Sequence, residues 1–168
     1  MAFFAELKGD ALDAYKKTYQ IVKQKAMKEL NLSEDQIVIR PLRPEDLGLT
    51  NPAWRFSVTS TSAWNTLIDS KTIADNRFVG IYGICSPEST QLITQLKITR
   101  AGSDARIWNI EIASAQEDKT IYVDDPFTVD QNTTLTIQGY NATTGTNSSY
   151  QLIFLGVVAE KKGMVISP

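Results

Sequence analysis

Asp124, Asp125 and Asp130, with Asn132 close behind, form the densest set of hard oxygen ligands in the chain. Calcium takes about six to eight such oxygens, so these three aspartates are the candidate Ca²⁺ ligands, although their spacing is not that of an EF-hand loop. The same residues also read as ordinary local structure. Asp124-Asp125-Pro126 fits a strand exit, and Asp130-Gln131-Asn132 fits a turn. Glu45 and Asp46 lie in a proline-rich stretch with no visible partner. No pair of carboxylates is marked by spacing for acid–base work.

The chain has no histidine and one cysteine, Cys85. Without histidine there is no Ser-His-Asp or Cys-His catalysis and no ordinary zinc site. A lone cysteine forms no internal disulfide. Cys85 falls at the end of an apolar run and has no basic neighbour to make it a reactive thiolate. It reads as a small core residue or, if exposed, as an inter-subunit thiol. Glycine-rich phosphate loops and CxxC pairs are absent. The reading is of a protein that is not an enzyme and needs no cofactor.

Aromatic residues offer a second chemistry, stacking on sugar rings. Trp54 and Trp108 share the apolar parity of their segments and read as core, which leaves Trp64 as the tryptophan for an exposed role. Asn141, Thr143, Asn147 and Tyr150, in and beside a Thr/Asn/Ser-rich stretch, could line a carbohydrate site. Four Asn-X-Ser/Thr sequons, at Asn31, Asn132, Asn141 and Asn147, read as polar loops rather than glycosylation sites, because no secretory signal is visible.

A length of 168 residues with 42% hydrophobic and 21% charged residues predicts one ordinary globular body with a real core. The net charge of −2 argues against a nucleic-acid surface, which needs clustered Lys and Arg. No direct nucleic-acid binding is expected. No window approaches a membrane span, so the chain is expected to be made in the cytosol and not classically secreted.

These residues need elements to hold them. Phe4, Leu7, Ala11, Tyr15, Tyr19, Val22, Ala26 and Leu30 recur at spacings of three and four, which predicts an amphipathic helix over 2–30 within an N-terminal unit 1–35, with Asp10 as N-cap. Residues 1–30 carry a net charge of +2 and the rest −4. The helix therefore either packs on its own domain or projects to a neighbouring subunit or a lipid surface. In the latter case Phe3, Phe4, Leu7, Tyr15, Tyr19 and Val22 are the interface. Residues 36–53, with Pro41, Pro44 and Pro52, read as a proline-rich arm containing one short strand.

From 54 to 168 the pattern changes to short alternating strands with turn signals about every ten residues. Arg77–Cys85 is apolar or Gly on both parities and should be central, covered on both sides. In 106–114, Trp108, Ile110 and Ile112 alternate inward. Pro126 breaks the strand before it, and 141–149 reads as a long flexible loop. The fold class is mainly β: an antiparallel sandwich or jelly-roll barrel of about eight strands with an N-terminal amphipathic helix.

Over residues 54–166 the number and order of elements resemble the small single-jelly-roll capsid proteins of tailless icosahedral viruses. The nearest likeness is to those of membrane-containing double-stranded DNA viruses of bacteria and archaea. The resemblance implies a structural virion protein that self-assembles through helix, arm and loops, as a homo-oligomer and with other capsid proteins. It also implies contact between the N-terminal segment and neighbours or an internal membrane, and location in the virion. On that reading, removing residues 1–30 leaves a folded β-domain that no longer assembles. The alternative is a carbohydrate- or ligand-binding β-sandwich module.

Overall fold

The computed structural model describes residues 9–164. One helix, α1 (Asp10–Leu30), precedes ten strands: β1 (Ile37–Pro41), β2 (Arg55–Val58), β3 (Ala63–Thr72), β4 (Arg77–Cys85), β5 (Ile93–Arg100), β6 (Asp104–Asn109), β7 (Thr120–Val129), β8 (Thr134–Asn141), β9 (Asn147–Gln151) and β10 (Ile153–Lys161). Two four-stranded antiparallel sheets face each other, ordered β1-β10-β4-β7 and β3-β8-β5-β6, with a separate β2-β9 ladder.

The pairing is nested. β1 pairs with β10, β2 with β9, β3 with β8, β4 with β7, and β5 with β6 at the tip. One long hairpin has been rolled up so that β10 also meets β4 and β8 also meets β5. That is the strand order of a jelly roll. The two sheets remain a sandwich and do not close into a barrel.

The core lies in two layers. Between the sheets sit Phe56, Ile81, Leu96, Ile98, Phe127, Ile137 and Phe154. Between α1 and the outer face of the β4 sheet sit Val22, Ala26, Phe78, Tyr82, Val157 and Ala159. β4 feeds both layers and is central, between β10 and β7, as its double apolar parity predicts. Among the described residues no α-helix packs on the other sheet.

Among the described residues the helix spans Asp10–Leu30, with Gly9 rather than Asp10 as its N-cap, and the part expected before Gly9 lies outside the described residues. Gly9 has φ 56°, a backbone that side chains resist. Asn31, in the left-handed region, ends the helix. The buried face is Ala11, Ala14, Thr18, Val22 and Ala26. Small residues let the helix axis approach the sheet closely, which moves the contact stripe off the large Tyr15 and Tyr19. Phe3, Phe4 and Leu7 lie outside the described residues.

Four expectations change. Residues 36–53 are not an arm: β1 is an edge strand hydrogen-bonded to β10, and Leu47 in the following 3-10 turn is buried. Pro126 does not end its strand. β7 runs on to Val129, and 123–126 bulge out where the register with β4 shifts. Proline is tolerated there because β7 is an edge strand. Ile112 does not point inward. β6 ends at Asn109, whose Oδ1 accepts the Glu111 N–H at 3.0 Å and starts a 3-10 turn that leaves Ile112 59% exposed. Finally, 141–149 is no long loop, since β9 begins at Asn147 and the chain changes partner strands at buried Leu152.

Candidate functional site

The candidate calcium ligands do not converge, and among the described residues no three acidic or thiol side chains could hold a metal. Asp124 and Asp125 stand on the β7 bulge, exposed. Asp125 pairs with Arg106 of β6 at 3.3 Å, and the Arg106 guanidinium also donates to the Asp125 carbonyl at 3.0 Å. Asp130 pairs with Lys25 of α1 at 3.0 Å. A strand holds residues 125 and 130 too far apart to chelate one ion, and each already has a cation. Asp124, Asp125 and Asp130 therefore do not form one calcium site.

The carbohydrate candidates are consumed by the fold. Tyr150 is fully buried, and its hydroxyl accepts the Leu92 N–H at 3.3 Å. Asn141 is also buried. Its Nδ2 donates to Ser60 and Gly145 carbonyls, while Oδ1 accepts the Thr143 N–H at 2.9 Å. Asn147 Oδ1 accepts the Ser149 N–H. Buried amides need such partners, and satisfying one another leaves them closed to a sugar. Trp64 is exposed as expected and meets Tyr140 edge-on at 5.3 Å, whereas Trp54 and Trp108 pack on the core. Cys85 is half-buried and free, its Sγ 3.8 Å from the Asp118 carbonyl.

Of the interface residues, Val22 is fully buried within its own domain and is not open to a neighbour. Tyr15 and Tyr19 are half-buried. They belong to a tyrosine row: Tyr15 meets Tyr19 at 6.0 Å and Tyr82 at 5.9 Å, and Tyr82 stacks on Tyr122 at 6.5 Å. Burial, and then the neighbouring Tyr122 and Tyr15, push the Tyr82 hydroxyl up to about 12. The basic charge of α1 is also used within the chain. Lys17 donates to the Asp124 carbonyl at 2.5 Å, and Lys23 pairs with Glu34.

Asp46 has a partner that sequence spacing did not reveal. Arg40 of β1 binds both its oxygens at 2.7 Å and also reaches the fully buried Glu160 of β10. Burial pushes Asp46 up, but hydrogen bonds from Arg40 and the Arg43 N–H, with the two guanidinium charges, hold its carboxyl below the ordinary value of 3.8. This cluster fastens the 3-10 turn Pro44–Leu47 to the body. It works as a clamp between β1, β10 and that turn.

What remains is a cleft of about 750 Å³ along one side of the sandwich. There the edge strands β6 and β7 of the two sheets run past each other without pairing. Its walls are Ile107 and Trp108 of β6, Ile112 and Gln116 beyond it, Ile121 to Asp124 of β7, and Asp10, Asp13 and Lys17 of α1. Ile107 and Ile112 are each 59% exposed, which is unusual for large aliphatic side chains. An apolar floor with an acidic rim suits binding of an apolar segment. No sequence pattern marked it, because its halves come from strands of different sheets and from the helix.

No known protein family, curated protein or solved structure matches this chain.

Proposed function

We propose that this chain is a structural virion protein, a jelly-roll subunit that self-assembles with copies of itself and with other shell proteins. The observation that supports this best is the nested strand order, which rolls the chain into one rigid block with short connections. A block of this kind is suited to repeated symmetric contacts. Its two broad faces differ. One is covered by α1, and the other, among the described residues, is a sheet without a helix, bearing Trp64 and Tyr140. A shell subunit needs such a difference to tell inside from outside. No helix among the described residues is long and apolar enough to cross a membrane. The apolar stripe of α1 is spent on the sheet, so membrane contact on this reading falls to residues before Gly9.

The test is light scattering coupled to size exclusion on the purified full chain, followed by electron microscopy. Defined high-order oligomers or closed particles are expected. A strict monomer at high concentration that binds members of a sugar array would replace this reading with that of a carbohydrate-binding module.

A further inference from the structure

The outer face of the β3-β8-β5-β6 sheet has an aromatic end with a cation beside it. We propose that this face binds an acidic glycan, stacking a sugar ring on Trp64 and Tyr140 and pairing the sugar carboxylate with Lys97.

Three observations carry the proposal. The first is the aromatic pair. Trp64 and Tyr140 are register partners on β3 and β8, and their rings meet edge to face at 5.3 Å. Trp64 is 37% exposed, whereas Trp54 and Trp108 pack on the core. An indole held at the surface by a second ring is a preorganised apolar platform, suited to the C–H face of a pyranose.

The second is the surround. From β3 through β8 to β5, two adjacent rows of the sheet read Trp64, Tyr140, Gln95 and Thr66, Gln138, Lys97. Alternation with buried neighbours such as Leu67, Leu96 and Ile98 turns these side chains away from the core. Amides and hydroxyls both donate and accept hydrogen bonds, which matches the hydroxyls of a sugar. The amides of Asn65 and Asn141 are spent on backbone groups. Those of Gln95 and Gln138 make no hydrogen bond to another described residue.

The third is charge. Neither row holds a carboxylate, and Lys97 has no ion-pair partner among the described residues. Lys17, Lys23 and Lys25 are each engaged. Lys97 is the diagonal neighbour of Tyr140, about 7–8 Å away across the sheet. One unmatched cation in a neutral, hydrogen-bonding surround fits a ligand that is mostly hydroxyl and carries a negative charge. The proposal does not depend on the virion reading: assembly tests that reading and glycan binding tests this one, so either can fail alone.

The test is calorimetric titration of the full chain with sialyl-lactose and with a uronic-acid oligosaccharide. Lactose and a short oligoglutamate are the controls. An acidic sugar is expected to bind more tightly than both controls, and more weakly as salt is added. Trp64→Ala should weaken that binding by about tenfold. Lys97→Gln should weaken it several-fold and remove the salt dependence. Unfolding curves establish that each variant is folded. The proposal is overturned if no acidic sugar binds at millimolar concentration, if lactose or oligoglutamate binds as well, or if either substitution leaves the affinity unchanged. A second measurement needs no variant. In the nitrogen-labelled parent, the acidic sugar should shift the Trp64 indole signal and the Gln95 and Gln138 side-chain amide signals, and leave the Trp54 and Trp108 indoles in place. Shifts confined to other residues would also overturn it.

Discussion

Val22 Cγ1 lies 2.8 Å from the place where a Cβ on Gly80 would stand, and Thr18 Cγ2 lies 2.6 Å from it. The helix therefore rests on β4 at the one position of that strand's outer face where a side chain would push it away. Phe78 and Tyr82 flank the spot on the same face and close over the helix from both ends.

Gly80→Ala should therefore destabilise the protein by about 1–3 kcal/mol, as overpacking does. The two clashing groups are β-branched side chains on a helix and cannot swing aside freely. Urea unfolding checks this. A Gly80→Ala midpoint equal to that of the parent would mean that the helix is not seated there.

Removing residues 1–30 should not leave a healthy β-domain, contrary to the expectation from sequence. Phe78, Tyr82, Val157 and Ala159, at most 7% exposed now, would face water. The truncated chain is expected to aggregate or to bind a hydrophobic dye strongly. A soluble, cooperative unfolding transition near that of the full chain would show that α1 is dispensable.

Arg40→Leu should cost about 3–5 kcal/mol, because it strands the buried Glu160 carboxylate and releases Asp46. Arg77, 3.4 Å from Glu160, remains as a partial partner. Arg40→Leu/Glu160→Leu should recover much of the loss. Comparing the single and double variants by chemical denaturation measures that coupling, and additive effects would argue against the clamp.

Acid should loosen the same clamp. Asp46 is held below its ordinary value of 3.8 in the folded chain, so its stabilising contribution is complete above about pH 4. It is lost as pH falls through the lower folded value. The thermal midpoint of the parent should drop more steeply than that of Asp46→Asn from about pH 4 downward. Parallel curves would remove Asp46 from the account.

At the alkaline end the sign reverses. Tyr82 is raised from 10.0 to about 12, so the neutral hydroxyl is favoured by folding. Its contribution is full below the unfolded value and fades as pH rises toward the folded one. Ultraviolet titration of phenolate should show Tyr15, Tyr82 and Tyr122 ionising later in the native protein than in urea, with Tyr82 the latest. The last step should vanish in Tyr82→Phe.

Parts of this structure were legible in the residue pattern. β4 was readable as a central strand because both parities are apolar, and Trp54 and Trp108 as core because they share parity with their apolar neighbours. Other parts were not. Asp46 and Arg40 are six residues apart with two prolines between, and nothing local says that their side chains meet. Ile112 continues an alternating pattern, yet Asn109 ends the strand with a side-chain hydrogen bond that periodicity does not register. Pro126 breaks strands only where an N–H must pair, and edge position is a property of the sheet.

By itself the sequence determined the class of fold, one helix followed by short antiparallel strands, because period and turn chemistry are local. It also excluded histidine-based catalysis, because composition needs no coordinates. Tertiary structure decided the rest. Rolling the nested hairpin turned the proline-rich stretch into an edge strand, spent Asn141 and Tyr150 on buried hydrogen bonds and drew Asp125 and Asp130 to separate cations. It also set two unpaired edges side by side. The reason is physical: these outcomes depend on which distant segments meet, and the energies that select among meetings are those of the whole core rather than of any one segment.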